Sequence, residues 1–144
     1  MPDEWPVVAE GESSRGELWY LTAGGSAADY ESMLKVVYPD GRWGQGGMQG
    51  PALYPGQLLN SYAGRGDDGP LWVIVRSDPR VVRVRLQSEQ GEESELLACA
   101  HDQVVGINFF AAVLPWSTWL AGLQGFDDDG RVLAGLSPRR PPRF

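Results

Sequence analysis

The sequence predicts an all-β, mainly antiparallel fold: a single-domain β-sandwich, immunoglobulin-like in form, with one long glycine-rich loop. Turn residues recur about every 8–12 positions between short apolar or alternating runs, which is the pattern of a sandwich or barrel. Glycine (19 residues) and proline (11 residues) are abundant, so the chain reverses often. No segment sustains the apolar period of an amphipathic helix.

A chain of 144 residues has room for one domain and buries roughly two-thirds of its unfolded surface, enough for a core without staples. Residues 1–16 are acidic and turn-rich and read as a loose N-terminal arm. Residues 17–136 read as the sandwich, and 137–144 as a basic, proline-rich tail that packs into no core.

The first strand is expected at Glu17-Leu18-Trp19-Tyr20-Leu21-Thr22. Ser26, with Asp29 three residues on, could cap a short helix over 26–31, in competition with the strand 33–38 that follows at once. Pro39-Asp40-Gly41 is a turn, from which Arg42-Trp43 returns as a hairpin partner. Five glycines and two prolines between Gly44 and Gly56 predict the long loop, followed by a short strand over 58–62.

Leu71-Trp72-Val73-Ile74-Val75 is an unbroken apolar run between turns, as expected of a central strand covered on both faces. Val82, Val84 and Leu86 alternate with Arg83 and Arg85, a half-buried strand whose arginines face water. The return strand over 94–100 and its approach carry Glu92, Glu93 and Glu95, so cross-strand ion pairs are expected. A second apolar strand is expected over 107–114, another over 118–123, and a last one at Val132-Leu133-Ala134 after the Asp127-Asp128-Asp129-Gly130 turn.

The net charge of -7 argues against a nucleic-acid partner, because phosphate binding needs a basic face. No apolar stretch reaches membrane-spanning length, so no membrane insertion is expected. A single cysteine, Cys99, permits no intramolecular disulfide. The sequence as given reads as cytoplasmic, or as exported if an N-terminal signal has been trimmed.

Cys99, His101 and Asp102 hold the residue types of a thiol nucleophile, a base and an orienting acid, against which stands a buried thiol beside a strand-end histidine. One Cys and one His cannot complete a zinc site, the acidic run lacks the downstream bidentate acid of a calcium loop, and Gly44 to Gly50 lacks the lysine of a phosphate loop. No cofactor is expected. Arg65-Gly66-Asp67 matches an adhesion tripeptide by letters that recur easily in a glycine-rich chain.

Six tryptophans are the strongest functional invitation. Trp72 sits in an apolar run and reads as core. Trp43, Trp116 and Trp119 sit nearer loops, where aromatic side chains anchor interfaces or stack on sugars, although each also suits a core.

The order of signals, Leu18-Trp19-Tyr20-Leu21, Met33-Leu34-Lys35-Val36, Gly44 to Gly50, Val73-Ile74-Val75, Val81 to Leu86, Phe109 to Pro115 and Phe126 to Leu133, resembles a broad group of uncharacterised actinobacterial domains, often exported or membrane-anchored. The resemblance covers about residues 18–136 and implies a β-sandwich but no functional residues. Members of that group often carry two cysteines where this chain has Met33 and Met48, a departure that fits an intracellular form.

The leading expectation is a non-catalytic module that binds another protein or itself through exposed aromatics or a sheet edge. The alternatives are a small-molecule or carbohydrate-binding sandwich using Trp43, Trp116 or Trp119, and a small hydrolase centred on Cys99 and His101.

Overall fold

The computed structural model describes residues 5–65 and 70–137. Among the described residues there is no helix, and no helix long and apolar enough to cross a membrane. The strands are β1 (Val7–Glu12), β2 (Leu18–Gly25), β3 (Tyr30–Val37), β4 (Trp43–Gly50), β5 (Leu59–Arg65), β6 (Leu71–Ser77), β7 (Arg83–Ser88), β8 (Glu93–Leu97), β9 (Ala100–Asp102), β10 (Ile107–Leu114), β11 (Leu120–Phe126) and β12 (Val132–Leu136).

They form three four-stranded antiparallel sheets: a front sheet β1-β2-β3-β4, a middle sheet β5-β6-β10-β9 and a back sheet β12-β11-β7-β8. The all-β sandwich expected from sequence is present. An immunoglobulin-like sandwich has two sheets around one core, whereas here the middle sheet is shared between two cores.

That sharing is written in the strand chemistry. Every residue of β6 and β10 is buried. Because successive side chains point to opposite faces, Val73, Val75, Phe110 and Leu114 join Val84, Leu86, Leu120 and Leu123 of the back sheet. Trp72, Ile74, Phe109 and Val113 join Leu21, Leu34 and Val36 of the front sheet. A strand with water on one side alternates, and these two do not, as the unbroken apolar run 71–75 predicted for β6.

The glycine-rich stretch departs from expectation. Trp43 returns as the expected hairpin partner, but residues 44–50 continue it as β4 rather than loop, paired with β3 along its whole length from Val37↔Trp43 to Tyr30↔Gly50. The physical reason lies in the middle sheet. A Cβ on Gly44 would stand 2.8 Å from the Trp72 ring, and one on Gly46 would overlap the Tyr62 hydroxyl. Large aromatics of the middle sheet fill the space that side chains on β4 would otherwise take, so glycine here permits close approach rather than a turn.

Three further expectations change. Residues 7–12, assigned to the loose arm, are β1, an edge strand paired with β2 through a bulge between Val7 and Ala9. The helix proposed for 26–31 is a tight turn: Ser26 accepts from the Asp29 amide through its hydroxyl, and its own amide donates to the Asp29 carbonyl. The strand expected over 94–100 is split, since β8 belongs to the back sheet and β9 to the middle one. At the crossing, the Ala98 amide donates to the Val82 carbonyl and the Cys99 amide to Phe109.

Two other expectations hold, the cross-strand ion pairs and the acidic turn. Arg83 pairs with Glu95 at 2.9 Å and Arg85 approaches the same carboxylate at 4.0 Å, both across the β7–β8 ladder. The acidic run is a hairpin turn, in which the Asp127 carboxylate accepts from the Asp129 and Arg131 amides and Gly130 takes a φ of 80°. Met33 and Met48 lie on adjacent strands but alternate to opposite faces of the front sheet, Met48 inward against the core. The Arg65-Gly66-Asp67 tripeptide and the 138–144 part of the tail lie outside the described residues, apart from Arg65.

Candidate functional site

The Cys99, His101 and Asp102 set is brought close in sequence but not joined chemically. The Cys99 thiol donates to the Phe109 carbonyl at 3.4 Å. His101 places Nδ1 2.7 Å from the Asn108 Oδ1, on the face of the middle sheet opposite to Asp102. Asp102 accepts from the Tyr30 hydroxyl at 2.6 Å and from the Val104 and Val105 amides. None of the three hydrogen-bonds to another, and burial pushes the thiol pKa up, which disfavours the thiolate a nucleophile needs. Among the described residues no group of three His, Cys, Asp or Glu side chains could hold a metal ion.

The three candidate tryptophans separate. Trp116 is 5% exposed and packs in the core between the middle and back sheets, so its ring is not available to a ligand. Proline at 115 marks a loop in sequence, and nothing local says that the loop folds inward. Trp119 is partly buried against the same core, under the Arg65 guanidinium at 5.9 Å. Only Trp43 of the three is open, 59% exposed at the start of β4 with Lys35 Nζ 4.7 Å above its ring.

Trp43 does not stand alone. The register aligns Leu18 with Val37 and Val37 with Trp43, so the three form one cross-strand row. Their neighbours Leu21, Leu34 and Val36 point into the core, which puts this row on the outer face of the front sheet, where Leu18 is 38% exposed. Tyr20, Lys35 and Gln45 form the next row on that face. On the outer face of the back sheet the aromatic ring, Phe126, is covered by Arg83 and Arg85 at 5.0 and 5.2 Å, and Glu95 pairs both arginines, while the aliphatic ends of that row, Leu97 and Val132, stay exposed. Sequence reasoning singled out Trp43 but missed Leu18 and Val37, because the row exists only once the register is known.

A buried polar centre lies on the other side of the front sheet. Arg76 of β6 is 1% exposed and faces β3 and β4. Nε donates to Ser32 Oγ at 2.9 Å, and the terminal nitrogens donate to the Tyr30, Met48 and Pro51 carbonyls. Desolvation brings its pKa down to about 10, so the guanidinium stays charged at neutral pH. No motif marks this arginine in the sequence.

Compared with known protein families, with characterised proteins and with solved structures, the chain matches none.

Proposed function

We propose that this chain is a non-catalytic interaction module that binds another protein through the outer face of its front sheet. The cross-strand row Leu18, Val37 and Trp43 carries the reading. A sheet face turned to water ordinarily covers its large aromatics with long charged side chains, as the back sheet does for Phe126, 5% exposed beneath Arg83 and Arg85. The front sheet leaves Trp43 59% exposed even with Lys35 over its ring, beside aliphatic neighbours, and a large exposed aromatic is the composition of an interface anchor. The separate hydrogen-bond partners of Cys99, His101 and Asp102 support a binding role over a hydrolytic one.

The test is affinity capture from lysate of the native source by the wild-type chain and by Trp43→Ser, with circular dichroism of both. Trp43 is mostly solvated, so the variant is expected to fold normally and to lose the captured partner. A partner retained by Trp43→Ser, or no partner with the wild type, overturns the reading.

A further inference from the structure

We propose that the cleft between β1 and β9 binds a small primary ammonium with an apolar body, the ammonium donating to Asp102 and the body lying against Trp5. The front and middle sheets approach closely where β4 meets β5. Their opposite margins, β1 and β9, part around a hollow of about 500 Å³. Ligand sites run from about 300 to 1,000 Å³, so this volume suits a small organic molecule.

The lining decides the chemistry. Trp5 forms one wall, packed so closely on Gly24 that a Cβ there would overlap its ring. Tyr30 and Phe109 form the floor, with ring centroids 6.0 Å apart. His101, Asp102 and Gln103 stand at the polar end, and among the described residues no lysine or arginine lines the cleft. The Trp5 ring presents an electron-rich face and Asp102 is the carboxylate of the described lining, while the basic side chains nearby are engaged elsewhere, His101 Nδ1 on Asn108 and Arg76 on the Tyr30 ring and front-sheet carbonyls, so the cleft selects cations over anions.

Asp102 also sets the donor type. A carboxylate offers about four acceptor positions. Three are taken, by the Tyr30 hydroxyl and by the Val104 and Val105 amides. The remaining position suits an N–H donor, which a primary ammonium has and a quaternary one lacks. This site is separate from the Trp43 face, so the two readings stand or fall independently.

The experiment titrates the ¹⁵N-labelled full chain with phenethylammonium, and in parallel with 2-phenylethanol and phenylacetate, following the Val104 and Val105 amides and the Trp5 indole N–H. Saturable shifts at these three groups are expected with the ammonium alone. Gln103→Lys keeps every hydrogen bond to Asp102 and adds a cation at the rim, and it is expected to weaken binding about tenfold, as is Asp102→Asn. Should Asp102→Asn not fold, Gln103→Lys decides. No saturable shift with the ammonium, equal binding of the alcohol or the carboxylate, or unchanged affinity in Gln103→Lys overturns the proposal.

Discussion

The Arg76 guanidinium lies 5.0 Å from the centroid of the Tyr30 ring and donates to the Tyr30 carbonyl, while the Tyr30 hydroxyl donates to Asp102 at 2.6 Å. One strand of the middle sheet thereby holds the ends of two front-sheet strands, and the tyrosine links that buried cation to the edge strand β9. The arrangement joins two sheets by directional bonds where apolar contact alone would let them slide.

Arg76→Ala should be among the most destabilising single changes. It leaves the Tyr30, Met48 and Pro51 carbonyls and the Ser32 hydroxyl without their buried donor. Each unsatisfied buried group costs about 1–3 kcal/mol, so a loss of roughly 3 kcal/mol or more is expected in urea unfolding. Arg76→Lys should recover little of it, because an ammonium cannot span four acceptors set by a planar fork.

Tyr30→Phe and Asp102→Asn should couple. The hydroxyl is buried and its acceptor is a carboxylate, so a double-mutant cycle is expected to return about 1 kcal/mol or more of interaction. A coupling near zero would remove this bond from the account of how the sheets are joined.

Stability should fall with acid in a way that depends on Asp102. Desolvation raises its pKa, but hydrogen bonds from Tyr30, Val105 and Val104 and the charge of His101 outweigh that and hold it below the usual carboxylate range. A depressed folded pKa contributes stability that is fully present above the unfolded value, about 4, and is lost as pH falls through the folded one. The stability gap between wild type and Asp102→Asn, measured in urea, should therefore be wide near about pH 6 and shrink by about pH 3.

Cys99 should react slowly for an exposed residue. Desolvation raises its thiol pKa despite backbone hydrogen bonds that pull the other way, so less thiolate exists at a given pH below it. Alkylation by iodoacetamide at about pH 8 should lag a free cysteine peptide, and the lag should close as pH rises. A rate matching the peptide would mean the sulfur is not held as described.

Gly46→Ala should destabilise the sandwich although it lies on an edge strand. Its Cβ would meet the Tyr62 hydroxyl from the facing sheet, an overpacking that costs roughly 1–3 kcal/mol. Tyr62→Phe in the same chain should recover part of the loss by vacating that contact, read as a shift in the thermal midpoint.

The sequence by itself determined the class of fold, because strand chemistry is local. The unbroken apolar run at 71–75 required a strand covered on both faces, the strongly apolar stretch 107–114 required a second buried strand, and the alternation of Val84 and Leu86 with Arg83 and Arg85 required one half-buried strand with its charges outward. The Asp127 turn was equally legible, since its side chain bonds its own backbone. Tertiary structure decided what depends on facing partners. Glycines 44 to 50 favour a loop until Trp72 and Tyr62 lie opposite them, and Trp116 looks like a loop aromatic until its loop folds onto the core. The Leu18, Val37 and Trp43 row, the Arg76 centre and the cleft at Asp102 each assemble residues distant in the chain. Register and sheet stacking, which no short window of residues contains, placed them together.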